Sequence, residues 1–129
     1  MADKKNIHIV GIDPYLIDFK SPEFAAVPDL TAEKVEASIK GSVNQLNETG
    51  YNAELCWTDF GQTAKQVVKA HLESRKFDGV VIGAVIRVVP GNFQLFENLI
   101  NVIRETAPQA TISFNTNPKD TTDAVQRWN

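Results

Sequence analysis

Residues 79–93, GVVIGAVIRVVPGNF, hold the feature that most restricts the fold. This is the unbroken apolar run Val80-Val81-Ile82, closed by Asp78-Gly79 on one side and Gly83 on the other. A run this short and this apolar reads as a strand buried on both faces, which calls for helices on either side of a sheet. A lone cation, Arg87, follows, then a Pro90-Gly91 turn and a helical pattern. A central strand that opens into a loop with one cation is a natural floor for a ligand site in an open α/β sheet.

The remaining chain supplies three more strand–helix pairs. Residues 6–13 (NIHIVGID) leave neither face polar throughout, so this first strand is also central. Residues 14–30 then separate it from the first helix. Loops of this type usually run ~2–6 residues, so this one is long. It carries Tyr15, Leu16, Ile17, Phe19, Phe24 and Val27, and is stiffened by Pro14, Pro22 and Pro28. A long apolar loop is expected to cover either its own active site or a neighbouring subunit. Thr31 caps the first helix, whose stripe is Val35, Ile39, Val43 and Leu46, and Gly50 ends it. Residues 51–58 alternate, with Tyr51, Ala53, Leu55 and Trp57 on one face, and so form an edge strand.

A second helix is expected from Thr58 or Asp59 to about Arg75, with Ala64, Val67, Val68, His71 and Leu72 on its apolar face. The third follows an Asn92 cap and runs to about Thr106. Its apolar residues (Phe93, Leu95, Phe96, Leu99, Ile100, Val102 and Ile103) span about half the circumference, more than one sheet contact requires. Residues 110–115 alternate as the other edge strand. A short last helix starts at Asn117-Pro118 or at Asp120 and is docked by Val125 and Trp128.

Four β-α units specify a parallel sheet. Two central and two edge strands give the order 2-1-3-4, a three-layer α/β sandwich of flavodoxin-like layout. Right-handed crossovers put the first and last helices on one face and the second and third on the other. The crevice should open at the switch point between the first and third strands, above Asp13 and Gly83. A differently ordered Rossmann-like sheet is the alternative.

The 129 residues are expected to form one domain, and 43% hydrophobic and 22% charged content suit a globular chain. A net charge of −3 with scattered cations argues against a nucleic-acid partner. No apolar run reaches membrane-spanning length, and the few residues before the first strand leave no room for a signal peptide, so a cytoplasmic location is expected. The single cysteine, Cys56, excludes an internal disulfide and a cysteine-based zinc cluster.

The residues just after the strands are Asp13 and Tyr15; Thr58, Asp59 and Gln62; Gly83, Ala84 and Arg87; and Asn115, Thr116 and Asn117. A rim of carboxylate, guanidinium, amides and hydroxyls suits a small polar or anionic metabolite. Asp13 is the candidate general base and Arg87 the candidate anchor for a carboxylate or phosphate. Asn115, Thr116 and Asn117 would orient the ligand, with Tyr15, Thr58, Asp59 and Gln62 on its rim. Each has a structural competitor: a turn before Pro14 for Asp13, a surface ion pair for Arg87, and helix caps for Asp59 and Asn117. Asp13 and Asp59 could together hold Mg²⁺, but both have ordinary roles open to them, so no metal site is expected. His71 reads as a core or interface histidine, and His8 lies at the other end of the sheet from the rim.

No cofactor motif appears. The P-loop G-x-x-x-x-G-K-[ST] is absent, and Gly11-Ile12-Asp13-Pro14 does not substitute for G-x-G-x-x-G. Asp13-Pro14-Tyr15-Leu16 is no flavodoxin phosphate loop, and Gly83-Ala84 leaves no receiver phosphoacceptor. The long first loop is similar in layout to that of type II dehydroquinases, whose Asn-Gly-Pro-Asn start and lid motif are not matched. Over VGIDPYLIDF (10–19), VVIGAVIR (80–87) and FNTNPKDTTDAVQRW (114–128), the chain resembles a group of small bacterial and fungal α/β proteins. That resemblance implies a flavodoxin-like or Rossmann-like fold and no activity.

Two functions follow as expectations. One is a cofactor-independent enzyme or binding protein for a small metabolite at the carboxyl edge of the sheet. The other is a non-catalytic oligomeric module. A homo-oligomer, most simply a dimer through the third helix or the 14–30 loop, is expected in either case.

Overall fold

A computed structural model describes residues 4–129. Its centre is a four-stranded parallel sheet in the order β2-β1-β3-β4. The strands are β1 (Lys5–Ile12), β2 (Tyr51–Thr58), β3 (Gly79–Ile82) and β4 (Thr111–Phe114). Every residue of β3 is buried, as is β1 from Ile7 onward, whereas β2 and β4 are only partly buried. Apolar content alone therefore sorts centre from edge, as the sequence predicts.

Helices cover both faces. The helices α1 (Ala32–Glu48) and α5 (Thr121–Trp128) bury Val35, Ile39, Leu46, Ala124 and Val125 against Ile7, Ile9, Ala53 and Val81. On the other face, α2 (Ala64–Ser74) and α4 (Phe93–Thr106) bury Val68, Leu72, Leu99 and Ile103 against Val10, Ile12, Val80 and Ile82. Thr31 caps α1 by accepting from Lys34 N–H at 3.2 Å, and Gly50 turns the chain at φ +98°. The wide apolar stripe of the third predicted helix, α4, is used inside the chain. Leu95, Leu99, Val102 and Ile103 are buried, Phe96 and Ile100 pack beside them, and α4 abuts α2. Phe93 alone of that stripe stands clear, 62% exposed.

Three expectations need correction. The second helix begins at Ala64, not at Thr58 or Asp59, because a turn over 59–63 intervenes. The stretch after β3 is not a loop: α3 (Ala84–Val88) and a 3-10 turn, Pro90–Asn92, occupy it. Of the two starts read for the last helix, the structure takes Asp120, which precedes its first residue. Trp128 does not dock that helix but is 64% exposed, leaving Val125 as the buried contact.

The 14–30 segment is a string of tight turns. Seven backbone hydrogen bonds, each to the third residue back, run from Leu16→Asp13 to Leu30→Val27, and 3-10 turns form at Pro14–Leu16 and Pro22–Phe24. It straddles the carboxyl end of the sheet. Ile17 packs into the α2/α4 layer, and Phe19 and Leu30 into the α1/α5 layer. Beneath it, β3 leaves the sheet at Gly83, whose N–H donates to Val10 C=O at 2.8 Å. A Cβ there would sit 3.2 Å from that same oxygen, so glycine permits the approach. No helix among the described residues is long and apolar enough to cross a membrane.

Leu99 is fully buried where α4 meets the core. Leu99→Ala should lower unfolding free energy by about 2–5 kcal/mol. Urea unfolding tests this, with the midpoint falling and the slope unchanged.

Candidate functional site

At the carboxyl end of β1 and β2, Asp13, Thr58 and Asp59 are engaged by backbone. Asp13 Oδ1 accepts from Tyr15 N–H at 3.0 Å, which sets the turn into Pro14–Leu16. Tyr15 sends its hydroxyl to Glu36 of α1 at 3.2 Å and is largely exposed. Thr58 is buried and donates to Gly11 C=O at 3.1 Å. Gln62 is exposed. Asp59 accepts from the N–H groups of Gly61, Thr63 and Ala64 and from the Thr63 hydroxyl at 2.7 Å. It therefore gathers the orphan donors at the start of α2 from five residues upstream. The Thr63 hydroxyl and these N–H groups hold its carboxyl down at about 2, despite some loss of hydration.

At the end of β3 and β4, Asn115 makes a three-way tie. Its Oδ1 accepts from Ala84 N–H at 2.7 Å, its Nδ2 donates to Thr121 Oγ1 at 3.0 Å, and its carbonyl accepts from Arg87 Nη2 at 3.2 Å. Arg87 lies over the Phe114 ring, 5.9 Å from its centroid, and makes no ion pair among the described residues. Its Nε is buried without a hydrogen-bond partner. Thr116 N–H and hydroxyl both donate to the Asp120 carboxylate, and Asn117 Oδ1 accepts from Lys119 N–H at 2.8 Å. The nine sequence-predicted residues thus fall into two groups. Arg87, Asn115, Thr116 and Asn117 lie on the β3/β4 side, and Asp13, Tyr15, Thr58, Asp59 and Gln62 on the β1/β2 side.

Between them, at the switch point, lies a hollow of about 170 Å³. Its walls are Ile17, Asp18, Ser21, Glu23 and Phe24 of the 14–30 segment, Phe60 after β2, and Val85, Val89 and Asn92 around α3. The Ser21 hydroxyl, together with backbone N–H, holds the Glu23 carboxyl below its usual range. The Asn92 amide donates to Val85 C=O at 3.0 Å, which fixes the floor. None of the nine predicted residues lines this hollow. The signal for it in the sequence is the apolar content of 14–30.

A second cluster escaped the sequence reading. His8 of β1 is register partner to Glu54 of β2, and both lie beneath α2. His8 is fully buried, with its ring 5.1 Å from that of Phe77 and 5.3 Å from that of His71. Burial pushes its pKa down to about 4, against the pull of Glu54, so the ring is neutral. His71 is not buried as expected: its side chain is 45% exposed and its Nδ1 is 3.3 Å from Glu54 Oε1. Arg75 Nη2 stands 3.4 Å from Glu54 Oε2. Strand parity puts His8 and Glu54 on one face, but only the register brings them level. Burial also pushes the Cys56 thiol up to about 11, which leaves it protonated and unreactive near neutrality.

The folded pKa of Asp59 lies below its unfolded value. Its contribution to stability is therefore present above about pH 4 and lost as pH falls toward 2. Asp59→Asn should flatten the loss of stability in that window, as read by thermal melts from pH 5 to 2.

Comparison with protein-family models finds no match for this chain, and comparison with curated proteins finds none either. The part of the resemblance over 10–19, 80–87 and 114–128 that the structure bears out is the fold: a four-stranded parallel α/β sheet.

Proposed function

We propose that the chain binds a small molecule in the hollow between the 14–30 segment and α3. The observation that carries this is the composition of its walls. Ile17, Phe24, Phe60, Val85 and Val89 supply an apolar lining, and Asp18 and Glu23 add two carboxylates. The hollow also lies outside the carboxyl ends of β1 and β3, where open α/β sheets bind ligands. Such walls favour a compact apolar body bearing a cationic or hydrogen-donating group. This is the reverse of the anion expected from Arg87, which lies on the Phe114 side. Binding is the activity proposed, because Asp13, the candidate base, already accepts the Tyr15 N–H.

A second reading, self-association, is favoured by the surface around the same end. Six of the seven exposed large hydrophobic residues among those described flank it: Tyr15, Leu16, Val27, Phe60, Val88 and Phe93. The two readings are compatible, since a neighbour's segment could complete the walls.

Titration of ¹⁵N-labelled protein with benzylamine and with benzoate tests the first reading. Amide shifts should concentrate in 17–24 and 85–92, be larger for the amine, and vanish in Val85→Trp, which fills the hollow. Shifts elsewhere, or shifts indifferent to Val85→Trp, would refute it. For the second reading, sedimentation velocity should show a dimer that Leu16→Ser with Phe93→Ser converts to a monomer. A wild-type monomer at high micromolar concentration would exclude it.

A further inference from the structure

Among the described residues, His8 stands out as a buried side chain with both polar atoms unpartnered. It has no exposed surface, and neither ring nitrogen has a hydrogen-bond partner among the described residues. Leaving a polar group buried and unsatisfied is destabilising, and an apolar side chain beside Phe77 would avoid that cost. The Nδ1 atom nevertheless points at a carboxylate, 3.4 Å from Glu54 Oε1. The same oxygen lies 3.3 Å from His71 Nδ1. One donor atom from each of the three residues lies within 4.8 Å of the others.

We propose that His8, Glu54 and His71 form a site for a divalent transition-metal ion, of which Zn²⁺ is the best fit. The separations support it. Bonds of about 2.0–2.1 Å to a tetrahedral ion place neighbouring donor atoms about 3.3–3.4 Å apart. The Glu54–His8 and Glu54–His71 spacings, 3.4 and 3.3 Å, match two such edges, and the His8 and His71 donors, within 4.8 Å of each other, would close to the third on binding. Two imidazoles and one carboxylate suit zinc or ferrous iron rather than Mg²⁺ or Ca²⁺, which prefer all-oxygen shells.

Chemical state and surroundings agree. Burial keeps His8 neutral, which is the form that ligates. Arg75 engages Glu54 Oε2, which leaves Oε1 as the single donor and orients it toward the histidines. The guanidinium also sets a limit, since a second cation nearby disfavours any ion that Glu54 holds weakly. Glu54, His71, Arg75, Ala70 and Ser74 line an open hollow beside the cluster. An ion held by these residues would have this hollow beside it, room for a fourth ligand such as water or substrate.

The test uses the full chain, free of any polyhistidine tag, stripped with chelator and titrated with Co²⁺ and then Zn²⁺. One equivalent of Co²⁺ should bind with the intense visible bands of a tetrahedral ion, and Zn²⁺ should displace it. His71→Ala and Glu54→Gln change side chains that are not fully buried, so both should keep the wild-type circular dichroism. Each should weaken Zn²⁺ binding by at least about tenfold. Wild-type protein that binds no metal would overturn the proposal. So would metal affinity that both folded variants retain, because the ion would then lie elsewhere.

Discussion

Two strands with no face left for water govern this molecule. β3 is buried from end to end and β1 from Ile7 onward, so each must have a strand on both sides and a helix layer above and below. Once both are central, the half-polar strands β2 and β4 have only the edges left. Of the two orders this leaves, β2-β1-β3-β4 is the one that keeps β1 beside β2 and β3 beside β4, and right-handed crossovers then assign each helix its face. The switch point falls between β1 and β3, and the Gly83–Val10 contact sets how closely their ends approach there.

The same constraint explains why the polar rim is less available than its composition suggests. A sheet of four strands ends abruptly, and every chain crossing must find partners for its backbone groups. Asp59 serves α2, Asp120 serves the turn before α5, and Asn115 joins the ends of β3, α3 and α5. Side chains that read as chemistry when gathered by position are here largely taken up by structure. What remains at the switch point is shaped by apolar residues of the 14–30 segment and α3, with two carboxylates among them.

The sheet, its order and the faces of its helices were legible because they rest on periodicity and burial, which local sequence carries. The start of α2 was not, because Asp59 caps it through a five-residue turn instead of from the adjacent position. Nor was α3: one and a half turns of Ala84–Val88 are too short to show a helical period. His71 was misplaced for a subtler reason. It belongs to the stripe of α2 that faces the sheet, but near the helix end the sheet edge runs out at β2, and the ring meets solvent and Glu54. The His8–Glu54–His71 grouping needs inter-strand register, which depends on contacts 46 residues apart. No local pattern encodes that.

The turns of the 14–30 segment have a thermodynamic consequence of their own. Three prolines narrow the conformations open to this stretch before folding, and the successive three-residue hydrogen bonds fix most of what remains. A wall of the hollow is thereby ordered in advance. The entropy of arranging it belongs to folding, and a molecule entering between Phe24 and Val85 meets a surface with little left to lose. For the guest proposed above, selectivity at such a wall would come from shape more than from adaptation, and would favour rigid molecules over flexible ones.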